Sequence, residues 1–340
     1  MVENSSNQHE FPVLIGDIGG TNARFQIVAD ATSKAHSFEP VKTKEFNTVQ
    51  DALEQSVLAK TSLTPRTAIL AAAGPITPTG IDLTNCHWSI DYRDFLKGGS
   101  FQKLILMNDF EAQALALPYL TESDLQWLGG PRTLPDTDRT KAVIGPGTGL
   151  GVASLVRADG KWIPVAGEGG HVDLGARTSR EERIWPYLET VAGRISAEQV
   201  LCGAGLVNLY GAICKADAVD ISFKEPSQIT KAVDNNAQAA EAVSIFCACL
   251  GRVAGDLGIT TMAKGGVYLA GGVSKHIDEV LGKGDFRASF DDKHPHEEHM
   301  NAMSSWLITH SLPALVGLKA YAQAPQEFAV DISYRRWNRD

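Results

Sequence analysis

The sequence predicts an α/β fold. Apolar strand-like runs alternate with segments of helical period, and two of the strand pairs turn through glycine-rich hairpins. The 340 residues are enough for about two domains at roughly 150 residues each, and no Gly/Ser/Pro-rich linker or low-complexity tract divides them.

The first ordered element is the apolar run 11–15, ending in Gly-Asp-Ile-Gly-Gly-Thr-Asn (16–22). The run 23–29 follows at once, so the pair reads as a hairpin around a glycine-rich turn. Apolar residues recur at helical spacing over 49–58, and a strand at 68–72 is closed by Gly74-Pro75. Residues 103–107 form a compact strand that runs into Asn108-Asp109. A helix over 110–117 follows and stops at Pro118. The strand 141–144 enters Gly145-Pro-Gly-Thr-Gly-Leu-Gly151, with 152–156 as its hairpin partner. A long apolar helix is expected at 241–257, a buried strand at 266–270 ending in Gly271-Gly272, and a late helix at 312–321. The polar tail 325–340 reads as a surface extension.

Composition narrows the function classes. Lys and Arg number 31 against 40 Asp and Glu, a formal charge of 31 − 40 = −9. That balance argues against a sequence-independent nucleic-acid binder, whose affinity comes largely from Lys/Arg. It leaves a phosphate ligand open, because backbone N–H groups hold phosphate without a basic surface. The hydrophobic fraction of 44% and charged fraction of 21% exclude wholesale disorder. Cys86, Cys202, Cys214, Cys247 and Cys249 are odd in number and lack C-x-x-C spacing, the pattern of small buried residues in a reducing compartment. Residues 1–10 are polar, without the apolar core of a signal peptide, and no apolar run approaches the ~18 residues needed to cross a bilayer. A cytoplasmic protein with no membrane partner is expected. The patch around His294, His296 and His299 reads as a solvated loop, with metal binding as the competing reading.

Glycine is in excess, 32 of 340 residues or about 9%, against a usual share of roughly 7%. Fourteen of the 32 fall at 16/19/20, 145/147/149/151, 167/169/170 and 265/266/271/272, mostly at strand ends. Gly there permits close backbone approach, as a phosphate cradle requires. No Gly-Lys-Ser/Thr occurs, so there is no Walker A loop. Gly145–Gly151 approaches a Rossmann fingerprint, yet an apolar strand follows instead of a helix. Taken singly, each stretch reads as an ordinary tight turn rather than a phosphate cradle.

Several side chains fit chemistry as well as bland roles. Asp109 suits either a cap for the helix after it or a carboxylate base at a strand-to-helix junction. Glu168, His171 and Glu198 suit vicinal hydroxyls of a polyol, or solvated charges and a turn histidine. A metal pair from Glu168-x-x-His171 needs a helix, which Gly167, Gly169 and Gly170 disfavour. Asp17 suits a water-mediated Mg²⁺ contact or a turn that bonds its own backbone.

The order of the motifs is more specific than any one of them. Asp17-Ile18-Gly19-Gly20-Thr21-Asn22, Asn108-Asp109, Gly145–Gly151, Gly167-Glu168-Gly169-Gly170-His171, Ser196-Ala197-Glu198, Gly205–Tyr210 and Gly271-Gly272 follow one another over residues 12–322. This arrangement resembles the bacterial glucokinases of the hexokinase-like, non-ROK type, within the sugar-kinase/actin/Hsp70 superfamily. His171 is followed by Val172-Asp173-Leu174-Gly175 with no cysteine before Cys202, unlike the zinc motif of the ROK branch.

The resemblance implies a two-lobed actin/hexokinase-like ATPase fold with nucleotide and sugar in the interlobe cleft. The smaller lobe would be 1–119 plus 312–340 and the larger 120–311. It implies ATP-dependent phosphorylation of D-glucose to glucose 6-phosphate, with ATP and Mg²⁺ and a homodimeric state. Asp109 would be the base for the 6-hydroxyl, while Asn108, Asp109, Glu168, His171 and Glu198 bind glucose. Gly16, Asp17, Ile18, Gly19, Gly20, Thr21, Asn22, Gly147, Thr148, Gly149, Gly271 and Gly272 would hold the nucleotide, and Asp17 the metal through water. A same-fold kinase for another hexose such as fructose or mannose, or a non-catalytic sugar- or nucleotide-binding protein, are the competing readings.

Overall fold

A computed structural model describes residues 9–84, 86–132 and 138–339. The expectation of a polar N-terminal segment without a signal sequence falls mostly on 1–8, outside the described residues. The chain divides into two compact units: Met1–Leu120, Leu155–Ala166 and Ser311–Asp340 form one, Thr121–Ser154 and Gly167–His310 the other.

In the first unit, Val13–Ile18, Thr67–Ala72 and Lys103–Asn108 lie side by side and parallel, with Asn22–Val28 antiparallel to the first of them. These parallel strands are buried on both faces, which is why they read as continuous apolar runs rather than alternating ones. The register aligns Asp17 with Ala71, Ala71 with Met107, and Ala72 with Asn108, so the strands finish together at one carboxyl edge. The helix Asp109–Ala116 begins directly at that edge. It packs against Pro313–Gln323, where Gly317 admits the backbone of Ala112 at a separation that a Cβ would block. Leu14, Phe25, Leu53, Leu70, Trp88 and Leu104 belong to the core of this unit.

The tail corrects the expectation of a surface extension. Arg336–Asn338 is an edge strand paired antiparallel with Lys103–Asn108, and Arg335 is buried in an ion pair with Glu111. Trp337 stacks on Tyr92 with ring centroids 5.3 Å apart, and Arg339 donates to the Gly99 and Lys97 carbonyls. Leu155–Ala166 also falls in this unit, whereas the division expected from sequence gave it to the other: buried Trp162 bridges to Phe328, and its carbonyl accepts from Ala329.

In the second unit, a sheet runs in the order Leu125–Gly129, Ser305–Ile308, Val267–Leu269, Lys141–Pro146 and Leu150–Ala158, the last strand continuing past Ser154 out of the unit. Its core is built around the 25-residue helix Ala237–Thr261, capped by Asn236, whose side chain accepts from the Ala239 N–H at 2.8 Å. This helix is longer than the predicted 241–257. Contrary to the sequence expectation, it is long and apolar enough by composition to cross a membrane, with a mean hydropathy of 1.6 over its most apolar window. Two thirds of that window is buried in the protein, with Gly251 and Gly255 admitting the backbone of the helix Asp285–Asp291. Cys247 and Cys249 are buried in the same helix, and burial pushes both thiols up, to about 12 and about 11.

Candidate active site

In the first unit the candidate site is the carboxyl edge of the three parallel strands, the place where open α/β sheets present ligands. The turn after Val13–Ile18 is Gly19-Gly20-Thr21. It is closed by the Gly19 N–H donating to Asn22 O at 3.0 Å. Gly20 and Thr21 are exposed at the turn. Gly16 and Ile18 are buried within the strand itself. Gly16 lacks a side chain because Phe25 and Leu70 pack over it, each 2.8 Å from where a Cβ would stand. That leaves Gly19, Gly20, Thr21 and Asn22 as the turn that a phosphate could approach.

Sequence reasoning missed what holds this turn. Thr43 is buried, and its Oγ1 donates to Gly20 O at 2.9 Å and its N–H to Thr21 O at 3.1 Å. The strand Val41–Lys42 brings it there by pairing with Asn22–Val28. A single Thr in the polar run Lys42-Thr43-Lys44-Glu45 has no local signature.

Two parallel strands away from Asp17 stand Asn108 and Asp109. The cap and the candidate base prove to be different residues. Asn108 Oδ1 caps the helix by accepting from Phe110 N–H at 2.9 Å and Glu111 N–H at 3.2 Å, leaving its amide end as a donor. Asp109 is the first helical residue and half-buried, with Oδ1 accepting from the Phe110 N–H at 3.0 Å. Its carboxylate thus lies at the N-terminus of the helix.

Asp17 lies in the field of Asp109. Burial raises the Asp17 carboxyl to about 6; Arg24 opposes this and the Asp109 charge adds to it. Arg24 stands 4.0 Å away and its side chain is 36% exposed, too distant and too wet to neutralise Asp17 fully. A carboxylate only partly compensated by Arg24 and lying in the field of a second carboxylate is a donor set that fits a hard, hydrated cation, and Mg²⁺ takes few protein carboxylates.

In the second unit the hairpin between Lys141–Pro146 and Leu150–Ala158 turns through Gly147-Thr148-Gly149, with Thr148 exposed. Gly147 N–H donates to Gly149 O at 2.8 Å, and Gly147 O accepts from Gly203 N–H at 3.0 Å at the start of the helix Gly203–Ala216. Gly271, at φ +83°, fits against the Pro146 backbone at a distance no Cβ would allow, and Gly272 has open space around it.

The polyol-type residues assemble next to this hairpin. Glu168 starts a single 3-10 turn, Gly169–His171, closed by His171 N–H to Glu168 O at 3.0 Å. Gly170 is required because an added Cβ would stand 2.3 Å from Leu150 O, and Gly169 lies tightly on Val152, whose side chain a Cβ would meet at 3.1 Å. The segment 194–198 zips onto 170–174: Glu198 N–H donates to Gly170 O at 2.8 Å, Ala197 N–H to Val172 O at 2.8 Å and Leu174 N–H to Ile195 O at 2.9 Å. Arg194 locks the pair by donating to Asp173 Oδ1 at 2.8 Å and His171 O at 2.9 Å. Glu168 and His171 are exposed, their side chains 3.9 Å apart. Glu198 differs: its Oε2 accepts from Leu150 N–H at 2.8 Å, under the glycine hairpin. An exposed carboxylate and imidazole, with the half-buried carboxylate of Glu198, suit a neutral ligand rich in hydroxyls. The His294/His296/His299 patch belongs to another segment, at and before the helix Glu297–Asn301. His294 pairs with Glu297 at 2.9 Å and His296 stacks on His299.

The family model described as Glucokinase matches residues 14–325. A glucokinase of Chelativorans sp. (strain BNC1) is 51% identical over 330 residues, 96% of each chain, and one of Rhizobium johnstonii is 48% identical over 338 residues, 99% of this chain and 98% of the relative. The crystal structure of a glucokinase from an Antarctic psychrotroph superposes with a TM-score of 0.81 at 29% identity, covering 92% of this chain and 98% of the other. Similarity of this extent covers both units and every motif described above, and the chain therefore belongs to the glucokinase family.

Proposed function

We propose that this protein transfers the γ-phosphoryl group of ATP to the 6-hydroxyl of D-glucose, giving ADP and glucose 6-phosphate. The observation that carries the mechanism is the pair of carboxylates at one strand edge, Asp17 and Asp109, with Asn108 relieving Asp109 of the capping role. Asp109 accepts the proton of the 6-hydroxyl while O6 forms its bond to the γ-phosphorus and the bond to the β,γ-bridging oxygen breaks. Asn108 donates through its amide to a neighbouring hydroxyl. The Gly19–Asn22 turn and the Gly147–Gly149 turn would each offer backbone N–H groups to phosphate, and Gly271 and Gly272 leave room for the nucleoside. Glu168, His171 and Glu198 bind the sugar hydroxyls. Mg²⁺, arriving with the nucleotide, would neutralise phosphate charge, and Asp17 would hold it through water.

The membership is narrower than the family name. The run Val172-Asp173-Leu174-Gly175 after His171, with no cysteine before Cys202, supports the hexokinase-like, non-ROK type within the actin-like superfamily. A coupled assay across hexoses tests the substrate: kcat/KM is expected to be highest for glucose, and a higher value for fructose or mannose would overturn that assignment. Tight sugar binding without turnover would overturn the enzymatic reading itself.

A further inference from the structure

The C-terminal tail lies beyond the part of the chain that the family model matches, yet it grips the segment that carries Asp109. The strand Lys103–Asn108 and the helix Asp109–Ala116 meet between Asn108 and Asp109. On the strand side, Arg335 O accepts the Leu106 N–H at 3.1 Å. On the helix side, the Arg335 guanidinium forms a bidentate pair with the Glu111 carboxylate, Nη2 to Oε1 at 2.7 Å and Nη1 to Oε2. The two side chains are 7% and 2% exposed. Nε of Arg335 donates to Asp331 O at 2.6 Å, which fixes the plane of the fork. One residue therefore holds the chain two positions before Asn108 and two positions after Asp109.

A buried ion pair is a poor device for stability, since apolar residues of the same volume often do as well. What a bidentate Arg–carboxylate pair adds is a fixed angle and distance. We infer that Arg335 is a positioning residue for Asp109, setting the strand-to-helix junction so that the carboxylate keeps its place relative to the attacking hydroxyl. This rests on the reading of Asp109 as the base. Misplacement of a reacting group by 1 Å can cost on the order of a hundredfold in rate, so a loosened junction shows in kcat before it shows in binding.

The test compares Arg335→Lys, Arg335→Ala, Trp337→Ala and Asp109→Asn in the full-length enzyme, measuring kcat, KM for ATP, equilibrium glucose affinity and Tm. Arg335→Lys keeps the charge and loses the fork. It is expected to fold and to lose about tenfold in kcat, with KM for ATP within about twofold of wild type. Arg335→Ala, if it folds, loses more. Trp337→Ala weakens the same tail strand through its stacking on Tyr92 without touching the junction, so it lowers Tm and leaves kcat unchanged. Wild-type kcat in folded Arg335→Lys overturns the proposal. So does a kcat loss in Trp337→Ala equal to that of Arg335→Lys, which would make the effect one of tail stability. If Asp109→Asn is inactive while Arg335→Lys is fully active, only the positioning role fails; if Asp109→Asn is active, the base reading fails and this proposal with it.

Discussion

Glu198 Oε2 accepts the backbone N–H of Leu150 at 2.8 Å, and the Cα of Gly149 sits where any Cβ would strike the same carboxylate. A residue assigned to the sugar is thereby tied to the turn assigned to phosphate, within one unit. The carboxylate has a second oxygen free for a hydroxyl, while the first sets the height of the hairpin. Anything that moves Glu198 should be felt by both substrates.

Gly149→Ala tests that link. The methyl collides with the movable end of Glu198 rather than with backbone, so the protein is expected to fold with a small loss of stability, about 1 kcal/mol. Its KM is expected to rise for glucose and for ATP together. A rise for ATP alone, measured in the coupled assay, would show that the hairpin and Glu198 act independently.

Asp17 makes the ligand-free protein pay for its site. With its carboxyl raised to about 6, its protonated form favours the fold: that contribution is present below pH 3.8 and lost as pH rises through 6. Above pH 6 the ionised side chain costs the fold on the order of 3 kcal/mol. Asp17→Asn should therefore raise Tm at pH 8 while lowering activity with MgATP. A lower Tm for the variant at pH 8 would contradict this.

His9 acts in the opposite sense over the same range. Burial, with Lys103 and Arg336 nearby, lowers it to about 4, so its contribution is present above pH 6.5 and lost as pH falls through 4. Between pH 4 and 6 the two groups offset each other in the wild type. In Asp17→Asn the His9 loss stands alone, and Tm is expected to drop more steeply on acidification than in the wild type. Parallel profiles in differential scanning fluorimetry would remove one of the two groups from the account.

Chelation by EDTA should abolish activity and leave the Tm of the nucleotide-free protein unchanged, because the metal is expected to travel with ATP. A fall in Tm on chelation would point to a structural metal.

The parts of this site visible in the sequence are those made by local chemistry. The Gly19–Asn22 and Gly147–Gly149 turns, the Asn108-Asp109 junction and the Gly167–His171 run each carry their signal within a few residues, and parallel strands such as Thr67–Ala72 declare themselves by unbroken apolarity. What stayed hidden depends on partners far away in the chain. Arg335 looks like one more charge in a polar tail until Glu111, 224 positions earlier, is beside it. Thr43 gains its role from a two-residue strand too short to show a pattern. The helix Ala237–Thr261 extends beyond the expected 241–257 because Gly, Thr and polar residues at its ends carry no apolar period, although tertiary packing keeps them helical.

The central claim is that Asp109 takes the proton in transfer of the γ-phosphoryl group from ATP to glucose. Its most direct test is the glucose-phosphorylating kcat of Asp109→Asn beside the equilibrium glucose affinity of the same variant. Loss of general base catalysis predicts a fall of about 10²–10⁴ in kcat with sugar binding retained. A variant that turns over at close to the wild-type rate would contradict the account.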